Sequence, residues 1–162
     1  MKTRKILFYI FLSIAIAINA LIIVESAIGG EGSAAQSISV SESIAVTIES
    51  IFPNAGIDHI AFHSAIRKII GHFLLFGFSG IFTCLTFLMN DFIFNKFKHL
   101  NSLFILSIGL IVAMTSELIQ YFTPGRVGAL FDIFIDFSGY LLFSGLTYLI
   151  TYLIYKKHKI IQ

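Results

Sequence analysis

The chain has 162 residues, of which 57% are hydrophobic, 15% aromatic and 12% charged, and its formal net charge is +2. A soluble domain carries about 25% charged residues. The composition therefore excludes a disordered tail, a nucleic-acid binder with a basic stripe and an ordinary cytosolic enzyme. The length allows one domain, 1–162, and the mean hydropathy of +0.90 predicts an integral membrane protein.

Four segments of the sequence are long and apolar enough to cross a bilayer, whose core of ~30 Å needs about 20 apolar residues in helix. They are 6–24, 69–89, 103–122 and 131–155. The alternative for the first segment is a cleaved signal peptide. Its apolar run exceeds the ~7–15 residues expected there, so we predict a retained anchor. The sequence thus predicts an all-α membrane protein with four transmembrane helices.

The distribution of basic residues predicts the orientation of these helices. With four spans, the N-terminal stretch, the connection between the second and third spans and the C-terminal stretch lie on one side. They hold eight of the eleven basic residues, namely Lys2, Arg4, Lys5, Lys96, Lys98, Lys156, Lys157 and Lys159. Because Lys and Arg are in excess on the cytoplasmic side, both termini are predicted to be cytoplasmic.

The segment 25–66 is predicted to be extracytoplasmic and contains five acids but no Lys or Arg. Val40, Ile44, Ile48 and Ile51 repeat with helical spacing, which predicts an amphipathic helix on the membrane surface. Apolar residues in this stretch also alternate, as they would in a strand. The helix is preferred because a single exposed strand would have no pairing partner.

Polar side chains gather at the predicted outer ends of the last three spans. An ionisable residue within a span costs about 2.5–3.5 kcal/mol, so such residues indicate function by default. His72, Glu117 and Asp136 each lie about one turn inside their helix, which predicts one shared site. We assign ligand binding to the whole set of Arg67, Lys68, His72, Glu117, Gln120, Arg126, Asp132 and Asp136. The alternative is structural, since bases and acids in this set balance and could only join the helix ends.

Spacing predicts which of these residues share a helix face. Lys68 and His72 are four residues apart, as are Asp132 and Asp136. The carboxylate-bearing faces of the third and fourth spans are predicted to point into the bundle. The first span has no ionisable residue to satisfy and is expected to pack more peripherally.

Two local patterns predict how the third span packs and ends. Gly109 and Ala113 form a stripe of small residues that would let another helix approach closely. Pro124 followed by Gly125 is typical of a type II turn. That turn would hold Arg126 over the helix ends, within reach of at least one carboxylate.

These polar motifs resemble those of a known family. The VanZ-like bacterial membrane proteins share the patterns Arg67-Lys68-x-x-x-His72-Phe73, Ser116-Glu117-x-x-Gln120-x-Phe122-x-Pro124-Gly125-Arg126 and Asp132-x-x-x-Asp136-x-x-Gly139. The resemblance covers 67–145, about half of the chain. This chain departs from the family in having Asp136 where Asn is usual and Phe143 in place of a glycine.

The resemblance implies a cell-envelope role at the outer face of the bacterial cytoplasmic membrane. The family takes its name from a protein associated with teicoplanin resistance, and the resemblance implies no particular reaction. No cofactor, resident metal or nucleic acid is expected, and the expected partners are membrane lipids. The oligomeric state is left open.

Three functions remain open at this point. The first is a non-catalytic protein that binds an anionic lipid, a lipid-linked wall precursor or a lipoglycopeptide. The second is an enzyme acting on a lipid-linked phosphate or ester, in which acid/base groups or ligands for a divalent metal come from His72, Glu117, Asp132 and Asp136. The third is a small transporter, although transport sites favour the midplane and these acids lie near one end.

Overall fold

The computed structural model describes residues 2–53, 56–89, 101–126 and 128–161, and within these ranges the chain forms helices and no strand. Four of the helices are long and apolar enough to span a membrane, as predicted. Each extends the predicted span at one or both ends, the second by ten residues at its start and the others by one to six residues. The helices are α1 (Lys2–Ala27), α2 (Gly30–Ile51), α3 (His59–Met89), α4 (Asn101–Phe122) and α5 (Leu130–Ile161).

The long helices alternate in direction. Arg4, near the start of α1, donates to the carbonyl oxygen of Leu88 at 3.0 Å, so α1 and α3 are antiparallel. Ser26, near the end of α1, lies 2.7 Å from Ser116 of α4, hydroxyl to hydroxyl. We call the end where α1 and α4 finish and α3 and α5 begin the polar end. The described ends of the chain, residues 2 and 161, lie at the opposite end. The cytoplasmic location of the termini stays a prediction; Lys96 and Lys98, on which it partly rests, lie outside the described residues.

The centre of the bundle is built around Tyr140, which is completely buried. Its hydroxyl donates to the carbonyl oxygen of Ile105 at 2.9 Å. The ring lies against Gly109 of α4, and the backbone of Tyr140 lies against Gly80 of α3, with no space for a Cβ at either glycine. Ala113 is also fully buried. The predicted close approach along the small residues of α4 is therefore confirmed.

The phenylalanine that departs from the family pattern fits into a gap left by another glycine. A Cβ on Gly77 of α3 would meet the Phe143 ring at 2.7 Å. The same ring packs edge-on against Phe73, with ring centroids 6.0 Å apart. One turn earlier, Gly139 lies against the backbone of Phe73. Helix α5 thus packs closely on α3 because Gly77 leaves room for the Phe143 ring and Gly139 leaves room for the backbone of Phe73.

Helix α1 is the least buried of the four candidate spans, as expected from the absence of charged residues in its predicted span 6–24. It is nevertheless tied into the bundle by polar contacts and by Ile22, which is buried in the core. The hydroxyl of Ser79 donates to Asn19 at 2.7 Å, and Thr123 donates to the carbonyl oxygen of Ser26 at 3.2 Å. Retention of α1 as an anchor stays a prediction, and these contacts support it.

The segment after α1 is helical, which favours the helix over the strand alternative. Among the side chains of α2 that the structure describes, the buried ones are the small residues Ser41 and Ala45, whereas Val40 and Ile51 of the predicted apolar stripe are exposed. Ser41 lies 2.7 Å from Nδ1 of His63, which joins α2 to the first turns of α3. The predicted position of α2 on a membrane surface stays a prediction.

Candidate functional site

Three helices bring His72, Glu117 and Asp136 together at the polar end, as their equal depths predicted. Nδ1 of His72 lies 2.9 Å from Oδ1 of Asp136 and 3.9 Å from Oε1 of Glu117. The relative exposures are 7% for His72, 4% for Glu117 and 0% for Asp136. The two carboxylates therefore point into the bundle, as predicted, and we call these three residues the buried triad.

Glu117 is held in place by donors from two elements. Nε2 of Gln120 donates to Oε1 at 2.9 Å, and the backbone N–H of Ala129 donates to Oε2 at 3.0 Å. Ala129 directly precedes α5, so the carboxylate lies at the positive end of that helix dipole. Gly128 makes this contact possible, since a Cβ there would meet the carbonyl oxygen of Glu117 at 2.6 Å.

A second polar contact between α3 and α5 lies one turn nearer the end of the bundle. Nζ of Lys68 is 2.8 Å from Oδ1 of Asp132 and 5.5 Å from the centre of the Phe131 ring. Lys68 faces Asp132 just as His72 faces Asp136, so the predicted pairs with four-residue spacing form a two-step ladder. The Lys68 side chain is 41% exposed, which makes this pair the weaker of the two.

The part of α3 that carries the basic residues is π-helical. Residues Arg67–Leu74 form a π-helix between the α-helical segments His59–Ile66 and Leu75–Met89. It contains Arg67, Lys68 and His72. Such wider turns are rare in proteins, and those that do occur are often found at functional sites. This π-helix is not predictable from the sequence, because neither hydropathy nor the spacing of polar residues distinguishes a π turn from an α turn.

The connection from α4 to α5 begins with the predicted turn. The N–H of Arg126 donates to the carbonyl oxygen of Thr123 at 3.1 Å, and Gly125 has a φ of +72°, as a type II turn requires. The N–H of Gly30 donates to the carbonyl oxygen of Pro124 at 3.0 Å. The turn is thereby fixed against the junction of α1 and α2, which sets the position of Arg126.

Two cavities open around Arg126. The first has a volume of about 360 Å³ and the second about 340 Å³, and Arg67, His72 and Arg126 line both. Lys68 and Asp132 line only the second. The first contains Ser116 and Gln120 and has an apolar wall formed by Leu21, Ile22, Ile70, Leu75 and Phe76. The buried triad is reached from either cavity through His72.

Cationic and anionic side chains lie close together around Arg126. Burial and the neighbouring Arg67 lower the pKa of the Arg126 guanidinium, while Glu117 and Glu25 oppose that shift. An arginine remains protonated in such surroundings. Arg126 therefore lies near carboxylates, as predicted, and also near the guanidinium of Arg67.

Helix α1 contributes to this site through residues that were not predicted from the sequence. Glu25 and Ser26 line the first cavity, and Ser26 is hydrogen-bonded to Ser116. Their position at the end of the first span, level with the other polar residues, was the available signal. All eight predicted site residues lie at the polar end, but Lys68 and Asp132 pair with each other outside the buried triad.

These features define a class of protein, a multi-pass helical membrane protein with a polar site at one end of its bundle. The family model for VanZ/LLP1 matches residues 8–152, nearly the whole chain. The chain belongs to this family, and the match extends the similarity from the polar motifs to α1. Comparison with curated proteins gives no match. Comparison with solved structures gives none either.

Proposed function

We propose that this protein is a non-catalytic component of the bacterial cell envelope that binds the anionic head group of a membrane amphiphile. The ligand class comprises anionic lipids, lipid-linked wall precursors and lipoglycopeptides. The polar end would face the outside of the cytoplasmic membrane, as the basic residues at the other end indicate. Membership of the VanZ/LLP1 family supports the envelope role, and the teicoplanin connection comes from the family resemblance.

The observation that carries this proposal is the two-sided character of the first cavity. Arg67 and Arg126 line it together with apolar side chains of α1 and α3, including Ile22 and Phe76. Guanidinium groups bind phosphate and carboxylate oxygens through two parallel hydrogen bonds. A head group would therefore lie against the arginines while the adjoining part of its hydrocarbon chain contacts the apolar wall.

The direct test compares lipid retention by purified protein in native mass spectrometry. Wild-type protein should retain phosphatidylglycerol in preference to phosphatidylcholine. Because a hydrogen bond to a charged group contributes about 1.5–3 kcal/mol, Arg126→Ala and Arg67→Ala should each weaken phosphatidylglycerol retention about tenfold or more. Arg126→Lys should recover only part of this, since lysine keeps the charge and loses the planar fork.

A matched control comes from the opposite end of the bundle. Arg4 contacts Leu88 there, so Arg4→Ala removes one arginine without touching the cavities. It should leave phosphatidylglycerol retention unchanged. Equal retention by Arg126→Ala and wild type, or full recovery in Arg126→Lys, would contradict the proposal. Loss of both fold and retention in Arg67→Ala and Arg126→Ala would instead support the structural alternative, in which these residues only join the helix ends.

The cellular counterpart is a change in envelope phenotype. Expression of wild-type protein should alter teicoplanin sensitivity of the host, and Arg126→Ala should remove that effect while inserting at normal levels. A variant that inserts normally and keeps the full phenotype would separate Arg126 from the envelope role.

A second candidate is the enzyme on a lipid-linked phosphate or ester. The close pair of His72 and Asp136, open to both cavities through His72, is the feature that favours it. Asp132 is less available for acid/base chemistry because Lys68 holds it. Release of phosphate from undecaprenyl diphosphate by wild type, and its loss in Asp136→Asn, would favour the enzyme over the binding protein.

A further inference from the structure

We propose that His72, Glu117 and Asp136 bind a divalent transition-metal cation between α3, α4 and α5. This inference concerns the buried triad and does not depend on whether an amphiphile binds in the cavities. It also revises the expectation from the sequence that the protein has no resident metal.

The geometry of the three side chains suits a single ion. Each residue offers one ligand atom, and these atoms all lie within 4.8 Å of one another. The distances from His72 Nδ1 are 2.9 Å to Asp136 and 3.9 Å to Glu117. Since metal–ligand bonds to nitrogen and oxygen are about 2.0–2.2 Å long, two ligands of one ion are separated by about 3–4 Å. Small side-chain shifts would bring all three atoms to that spacing.

An independent observation points to a ligand at the same place. Oδ2 of Asp136 is buried and accepts no hydrogen bond from the described residues. Its residue is fully buried, so bulk water does not satisfy this oxygen either. A buried carboxylate oxygen without a donor is costly. A cation bound by Asp136 would satisfy it, because carboxylates bind metals through one or both oxygens.

The ligand types select the class of ion. One imidazole nitrogen and two carboxylate oxygens suit Mn²⁺, Fe²⁺ or Zn²⁺ better than Mg²⁺ or Ca²⁺, which prefer oxygen alone. The two negative charges of the carboxylates, together with a neutral imidazole, also balance the 2+ charge of the bound ion. Gln120 and the N–H of Ala129 each donate to one carboxylate oxygen of Glu117, as neighbouring donors orient the ligands in known metal sites.

The triad is also reachable from the cavities. His72 lines both cavities, so an ion can enter from the polar end and keep a coordination position open to them. Asp136 adds a second carboxylate to that of Glu117. A metal held here would face anions bound by Arg67 and Arg126.

The test measures metal binding by full-length protein purified in detergent without a polyhistidine tag. After treatment with a chelator and its removal, the protein is titrated with MnCl₂ under electron paramagnetic resonance and dialysed against ZnCl₂ for elemental analysis. Wild type should bind one ion per chain. Asp136→Asn, which keeps the shape of the side chain, should lower the affinity about a hundredfold, and Gln120→Ala about tenfold.

Two variants serve as controls for the location of the ion. Asp132→Asn removes an acid one turn away that Lys68 holds, and it should lower the affinity far less than Asp136→Asn does. His59 lies 3.3 Å from Glu42 and 3.2 Å from Glu49 on the exposed side of α2, so His59→Ala tests a competing surface site and should also bind normally.

Size-exclusion chromatography and circular dichroism establish that each variant is folded. Less than a tenth of an equivalent on folded wild type would overturn the proposal. So would equal affinity of wild type and Asp136→Asn, or loss of binding in His59→Ala alone. Glu117→Gln provides a second ligand variant, and its affinity should fall with that of Asp136→Asn.

Discussion

The two acids that α5 presents to α3 should differ sharply in their contribution to stability. Asp136 is fully buried, and its loss in Asp136→Ala leaves the His72 N–H without an acceptor. Glu117 cannot replace it without moving, since its Oε1 lies 3.9 Å away. Removing one partner of a buried pair costs about 3–5 kcal/mol. The substitution also removes the repulsion between the carboxylates of Asp136 and Glu117, which offsets part of this cost. We therefore expect Asp136→Ala to lower the free energy of unfolding by about 3 kcal/mol.

Asp132→Ala is the matched comparison on the same helix. Its partner Lys68 is 41% exposed and gains water when the acid is removed. Pairs of this kind contribute about 0–1 kcal/mol, so the expected loss is about 0.5 kcal/mol. Asp136→Asn keeps an oxygen that accepts from His72 and should cost about 1 kcal/mol or less.

The free energy of unfolding can be measured by titrating detergent-solubilised protein with sodium dodecyl sulfate in the presence of a chelator. Circular dichroism is the suitable signal because the chain contains no tryptophan. The chelator ensures that a bound metal does not contribute to the difference between variants. Equal losses for Asp136→Ala and Asp132→Ala would refute the reasoning from burial. A loss in Asp136→Asn as large as that in Asp136→Ala would show that the charge matters more than the hydrogen bond.

Three further predictions address orientation, turn and packing. To test the orientation, the buried native cysteine is replaced by serine and a single cysteine is introduced at exposed Ser43 or at Lys157. In intact cells, the cysteine at position 43 should react with a membrane-impermeant thiol reagent and the one at position 157 should not. The reverse result would overturn the predicted orientation. Gly125→Ala should lower the free energy of unfolding by about 1–2 kcal/mol, because the φ of +72° at this position strains any other residue. It should also weaken phosphatidylglycerol retention by displacing Arg126. Unchanged stability and retention would contradict this prediction. Gly109→Ala should cost about 1–3 kcal/mol by overlap with the tyrosine ring on α5. Gly145→Ala has open space and should be neutral or stabilise by up to about 1 kcal/mol, so equal unfolding midpoints for both variants would argue against the packing.

Much of this architecture follows from local patterns in the sequence. Hydropathy identifies the four spans because the cost of exposing backbone in lipid leaves helices as the only choice for such segments. Pro124 and Gly125 predict their turn because the conformational limits of both residues act within the turn itself. The four-residue spacing of Lys68 and His72 places them on one face whichever helix they contact.

The tertiary structure decided which of these faces meet. Asp136 contacts His72 rather than Lys68 because the depth of α5 against α3 is set by shape, through Gly80 and the buried Tyr140. These contacts join residues far apart in the chain, and no local pattern reports how two helix surfaces interlock. The same reason explains why α1 supplies Glu25 to the cavity at the polar end. Sequence periodicity fixes the direction in which a side chain points from its own helix, whereas its partner depends on the packing of all the helices together.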